Sequence, residues 1–330
     1  MKLSTTYLGL KLANPIMPGA SPMSDNLDMV RRLEDAGASA IVMHSLFEEQ
    51  IVKDAQAVAR HIERWTESFS EAADFFPSQE DYAVGPDQYL EQIGRIKMAV
   101  KVPVVASLNG IHPGGWVEYA RLIQQAGADA LELNTYFLAT SRTVRSAELE
   151  ERVIEIVRTI RQQSKLPLAV KLSPYYTSLG SLVGLLEGEG ADGVVMFNRF
   201  FQPEIDLETL EVVPKLDLST SEDLRLRLRW LGLLRTQTSL SLACSGGVHT
   251  PADVVKAILA GADVVQCVAA LLRRGPERLK ELLDGLRVWM EEHEYASVDE
   301  LRGALSVGRA PDPEAFERGN YLRTLQLWRE

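Results

Sequence analysis

The chain has 330 residues with 35 basic and 46 acidic side chains, and its net charge of −11 argues against a nucleic-acid binder built on a basic face. Its 46% hydrophobic content is ordinary for a soluble globular protein, and no apolar run is long enough to span a membrane. Two cysteines, Cys244 and Cys267, fall in apolar runs and read as buried thiols of a reducing compartment, and with no signal-peptide pattern at the start the expected location is the cytoplasm.

Residues 4–12, with Gly9 near the centre, read as a small hairpin ahead of the main fold. Pro15-Ile16-Met17-Pro18 is the first strand candidate. One pattern then recurs four times, a helix, Gly-Ala, then an apolar strand: at Gly37-Ala38, Gly127-Ala128, Gly190-Ala191 and Gly261-Ala262. Glycine there ends a helix in the left-handed conformation and turns the chain into the sheet. Between these units, Pro103 and Pro167 enter apolar strands at 104–108 and 168–172, and Ser239 leads into 240–244.

This makes eight apolar, non-alternating strands, mostly separated by helical patterns. They indicate a parallel sheet covered on both faces and closed as a (β/α)₈ TIM barrel; an open six-stranded doubly wound sheet is the alternative. The chain reads as one domain, 1–330, with a C-terminal helical extension from about residue 303. Residues 48–87 and 198–237 read as long loop insertions at the C-terminal face, where barrel enzymes keep their active sites. Residues 276–292 form an amphipathic helix, and the apolar Phe316, Leu322, Leu325 and Trp328 of the tail are expected to pack on the barrel, with a subunit contact as the alternative.

The stretch Ser245-Gly246-Gly247-Val248-His249-Thr250-Pro251 organises the chain. A buried strand stops at two glycines, and Thr250 caps a helix that begins at Pro251. Glycine lets backbone amides approach an anion closely, which suits a phosphate. Polar residues stand at the other strand ends: Ser21, His44, Ser45, Ser107, Asn109, Asn134, Lys171 and Asn198. Lys171 reads either as a fixed cation beside an anionic ligand group or as an amine nucleophile. Arg225, Arg227 and Arg229 make the one dense basic run, a solvated or ligand-facing helix side.

The ordered set Asn14-Pro15, Gly19-Ala20-Ser21, Glu132-Leu133-Asn134, Val170-Lys171-Leu172-Ser173-Pro174 and Ser245-Gly246-Gly247-Val248 resembles the dihydroorotate dehydrogenases, most closely the soluble class 1 enzymes, from Leu3 to about Leu301. The resemblance implies an FMN-binding barrel that oxidises a small-molecule substrate as in pyrimidine biosynthesis. Gly246, Gly247, Val268 and Ala269 would hold the flavin phosphate, with Ser245 beside them. Ala20 and Ser21 would lie against the flavin, and Lys171 would contact its ring and ribityl region. Asn134 would sit near flavin and substrate, with Asn109 and Asn198 on the substrate. His44 and Ser45 belong with the cofactor's neighbours, although the family usually has lysine at His44. No metal is implied. A homodimer and an electron-transfer partner are compatible with the family, and an iron–sulfur relay would need another subunit.

Two departures fall in the substrate half. The corresponding substrate loop, residues 75–85, contains no asparagine. The family base is Cys or Ser three residues after the asparagine, and here that residue is Phe137, in Asn134-Thr135-Tyr136-Phe137-Leu138-Ala139. Phenylalanine cannot take a proton, so Tyr136 is the candidate base beside Lys171. Two other readings remain open: a phosphate-binding lyase or aldolase with Lys171 as Schiff-base amine, and a flavin-binding barrel without turnover.

Overall fold

The computed structural model describes residues 1–52, 85–199, 202–215, 217–316 and 318–327. The first hairpin is β1 (Thr5–Tyr7) with β2 (Leu10–Leu12), paired antiparallel. The barrel strands are β3 (Ile16–Pro18), β4 (Ile41–Phe47), β5 (Val104–Asn109), β6 (Ala130–Asn134), β7 (Leu168–Leu172) and β8 (Gly193–Met196). After a second hairpin, β9 (Gln202–Asp206) with β10 (Glu211–Lys215), come β11 (Ser241–Ser245) and β12 (Val264–Cys267). The eight-stranded sheet runs β3-β12-β11-β8-β7-β6-β5-β4, all parallel. Its two ends meet where the Ser39 amide and hydroxyl both donate to Ile16 O, at 3.0 and 2.8 Å. This is the (β/α)₈ barrel, and the open sheet is excluded.

The four Gly-Ala turns carry the expected left-handed glycines at Gly37, Gly127, Gly190 and Gly261. Two apolar cores result. Helices such as Ser146–Gln163, Pro251–Ala260 and Arg278–Glu292 pack Val157, Ile258 and Leu282 onto the outside of the sheet. Inside, Met17, Val42, Val105, Ala130, Ala169, Val195, Ala243 and Val264 form the lowest layer, closed from below by Tyr7, Leu8 and Leu12 of the hairpin. Leu8 fixes that floor by donating its amide to Ser241 Oγ at 3.0 Å.

Two expectations need correction. Residues 198–237 are not all insertion, because they contain the barrel's helix Leu224–Leu234. Arginines at 225, 227 and 229 alternate with leucines, a period of two that hides the helical stripe of Leu224, Leu231 and Leu234. The tail also differs. Phe316 packs beside Gly232, but Leu322 and Leu325 on the helix Gly319–Gln326 stay 63% and 53% exposed, because that helix lies off the barrel wall. Trp328 and residues 53–84, with all but Gly85 of the predicted substrate loop, lie outside the described residues.

Candidate active site

Side chains alternate along a strand, so a residue two steps above the floor layer also faces the lumen. This stacks Ser107 above Val105, Glu132 and Asn134 above Ala130, Lys171 above Ala169, Ser245 above Ala243 and Gln266 above Val264. Register then makes neighbours of Ser107 and Glu132, of Asn134 and Lys171, and of Ser245 and Gln266. An apolar floor thus becomes polar toward the mouth.

The second layer is an ion pair with a third partner. Lys171 Nζ lies 3.1 Å from Glu132 Oε1, and Gln266 Nε2 donates to Glu132 Oε2 at 2.6 Å. The carboxylate has two donors to offset its desolvation, the condition under which a buried pair is tolerated. It also anchors Lys171 in the lumen. Its Nζ is thereby engaged by Glu132 rather than presented to a carbonyl substrate.

Above β11 the backbone turns at Gly246 and Gly247, with φ of +86° and +85°. A Cβ on Gly247 would lie 2.4 Å from the Leu224 amide nitrogen, and one on Gly246 would meet the Arg227 guanidinium at 3.0 Å. Only glycine allows both the conformation and this approach. Thr250 Oγ1 caps the next helix by accepting from the Asp253 amide at 3.3 Å. Across β12, Val268 and Ala269 stand at the strand end, Ala269 opening a short helix. Gly19 completes the approach, since a Cβ there would meet Val268 and Gln266. Protein atoms thus fill the position a Cβ would take at Gly246, Gly247 and Gly19, which packs the backbone at the ends of β11 and β3 tightly against Arg227, Leu224, Val268 and Gln266.

The rest of the rim is held by hydrogen bonds. Asn198 Nδ2 donates to Asn134 Oδ1, joining the mouths of β8 and β6. Ser45 and Ser107 hydroxyls meet at 2.7 Å, and the buried Tyr89 hydroxyl bonds the carbonyls of His44 and Ser107. Asn109 is buried at the end of β5. Ser21 is buried, and its carbonyl accepts from Ser24. His44 Nδ1 is engaged by Asp25. Both thiols are buried, and burial pushes each up to about 12.

Glu132 and Gln266 are not among the site residues singled out from the sequence, and Arg227 reads there only as part of a solvated or ligand-facing helix side. A charged residue inside the apolar run Ala130-Leu131-Glu132-Leu133 was the available signal for Glu132. Among the described residues no cluster of His, Cys, Asp and Glu could hold a metal ion, and no helix is long and apolar enough to cross a membrane.

A family model described as dihydroorotate dehydrogenase matches residues 2–290. The chain belongs to the dihydroorotate dehydrogenase family. It is an oxidoreductase acting on CH–CH groups. It is 25% identical over 323 residues to the NAD-dependent dihydropyrimidine dehydrogenase subunit PreA of Escherichia coli, covering 91% of this chain and 76% of that one. It is 25% identical to the dihydroorotate dehydrogenase B (NAD(+)) catalytic subunit of Thermoplasma volcanium, covering 91% and 97%. With dihydroorotate dehydrogenase A (fumarate) of Lactobacillus delbrueckii subsp. bulgaricus it shares 30% identity, over 55% of this chain and 61% of that one.

Within this dihydroorotate dehydrogenase family member the loop after β6 is the point of departure. The Thr135 amide and hydroxyl both bond Lys171 O, tying that loop to β7. Beyond it Phe137, Leu138, Leu149, Tyr175 and Tyr176 line a cleft of about 310 Å³, in which Glu150 is the one charged lining residue. Burial pushes the Tyr176 hydroxyl up to about 12, so it is no base at neutral pH. Tyr136 is half-buried beside the cleft.

Proposed function

We propose that this protein is an FMN-dependent oxidoreductase whose substrate differs from dihydroorotate. FMN supplies the hydride acceptor when bound. Gly246, Gly247, Val268 and Ala269 would hold its phosphate, with Ser245 beside them. Ala20, Ser21, His44, Ser45, Asn134 and Lys171 would border the ring and ribityl chain. Lys171 would offer a fixed positive charge, and Asn109, Asn134 and Asn198 would face the substrate. The observation that carries this reading is the pairing of Lys171 with Glu132 in the lumen, one layer below the positive-φ glycine turn at Gly246-Gly247. The same ion pair weighs against a Schiff-base lyase.

Phe137 supports the change of substrate. The residue expected to take a proton is a hydrocarbon, and the cleft beside it offers an anionic carboxylate, Glu150, to a substrate that is itself a carboxylate. The substrate then either needs no base at this position or uses Tyr136. A homodimer, a separate electron-transfer partner and a cytoplasmic location belong to the same proposal.

The test is to purify the protein, release any chromophore by heat and identify it by chromatography. FMN at one equivalent per chain, bleached by dithionite, is the expected result. A colourless protein that cannot be reconstituted with FMN would overturn the reading.

A further inference from the structure

Arg227 is buried on the helix Leu224–Leu234, directly behind the Gly246-Gly247 turn. Its Nε donates to Ser245 O at 3.0 Å and its Nη1 to Asp223 O at 2.8 Å. Both acceptors are neutral carbonyls. Ser245 O also accepts from the Phe197 amide at 3.2 Å, and the Phe197 ring lies 5.9 Å from the guanidinium carbon. Gly246 sits against the guanidinium on the side of the turn.

Among the described residues no carboxylate pairs with this cation. The Asp223 carboxylate is taken by the Thr220 amide at 2.8 Å, with Arg199 at 3.9 Å. Asp253 is taken by the Ser221 hydroxyl and the amides of His249 and Thr250. The third nitrogen, Nη2, has no hydrogen-bond partner among the described residues and is the atom nearest the turn at Gly246. Guanidinium does not lose its proton in proteins, so a permanent charge stands largely buried and without a carboxylate partner among the described residues beside a glycine turn. Desolvation of an unpaired ion is unfavourable, and an anion in that turn offsets it. Elsewhere the chain, at −11, repels anions.

We infer that Arg227 is the counter-charge for the phosphate group at Gly246-Gly247, acting from behind the turn, and that it gives the protein its preference for FMN over the uncharged riboflavin. The inference rests on the flavin reading. It makes Arg227 a specificity residue: the turn supplies shape and amides, and Arg227 supplies charge. Through Ser245 O and Phe197 it also ties the turn to the end of β8, next to Asn198.

The experiment compares FMN and riboflavin affinities by fluorescence quenching in flavin-free wild type, Arg227→Met, Arg227→Gln, Arg227→Lys and the exposed control Arg225→Met. The two uncharged variants should lose FMN affinity by about ten- to a hundredfold, the scale of a charge-assisted contact, with riboflavin affinity unchanged. Arg227→Lys and Arg225→Met should keep the preference for FMN. Equal losses for both flavins in Met and Gln would make Arg227 merely structural. A loss in Met but not in Gln would make it a hydrogen-bonding group and overturn the charge assignment. If the wild type binds neither flavin, the flavin reading falls and inorganic phosphate decides. Phosphate raising the Tm of wild type and Arg225→Met, but not of Arg227→Gln, keeps the assignment. No rise in wild type overturns it.

Discussion

Lys171 and Glu132 form an ion pair at 3.1 Å inside the barrel, with 8% and 1% of their side chains exposed. Removing one member of such a pair leaves the other charge buried alone, which costs more than removing both. Glu132→Gln should therefore destabilise the flavin-free protein by about 3–5 kcal/mol. The double variant Glu132→Gln/Lys171→Met should recover part of that loss. Urea unfolding of the wild type, Glu132→Gln and the double variant measures it. A double variant less stable than Glu132→Gln would mean that the ammonium is compensated by other groups.

The Gly247 turn should tolerate no side chain. A Cβ there would lie 2.4 Å from the Leu224 nitrogen, at a φ of +85°. Gly247→Val should lose flavin binding and lower the Tm, the backbone strain alone costing on the order of 1–3 kcal/mol. Full flavin content in that variant would place the phosphate elsewhere.

Barrel geometry was legible in the sequence because its signals are local. Pro103, Pro167 and the four Gly-Ala turns mark strand entries, and unalternating strands mark a sheet covered on both faces. Thr250 and Pro251 likewise announced a capped helix, and Thr250 accepts from Asp253 as expected. Glu132 and Gln266 meet at 2.6 Å across 134 residues of sequence, a contact that barrel closure creates across the lumen and no local pattern encodes. Arg227 is a similar case: its spacing suits a solvated face, and only the docking of its helix behind Gly246 buries it.

Cys244 and Cys267 should be inert. Burial pushes both thiols up to about 12, so thiolate is scarce at neutral pH and neither sulfur meets solvent. Ellman's reagent should find no reactive thiol in the native protein and two per chain in guanidinium chloride. Rapid modification of the native protein would contradict the buried core.

Asp253 ties stability to pH. Burial alone would raise its carboxyl, but the Ser221 hydroxyl and the amides of His249 and Thr250 outweigh it and hold the group below the usual range. A depressed carboxylate contributes stability above its unfolded pKa, about 3.9, and loses it as pH falls through the folded value. Asp253→Asn should cost about 1–2 kcal/mol at pH 7, the scale of a helix cap, with the gap to wild type closing below about pH 4. Thermal melts across pH give the two curves, and a gap independent of pH would remove the charge from the argument.

The central claim is that the flavin half of the site is kept while the proton-abstracting half is not. General base catalysis is worth about 10²–10⁴-fold, so a chain with Phe137 at the base position should reduce its flavin slowly with dihydroorotate. The decisive measurement is anaerobic bleaching of the bound flavin by dihydroorotate in wild type, Phe137→Cys and Tyr136→Phe, with dithionite reduction as the control. Slow bleaching in wild type, faster in Phe137→Cys, with rapid reduction by dithionite in all three, is the predicted result. Fast bleaching in the wild type, unaffected by either substitution, would contradict it.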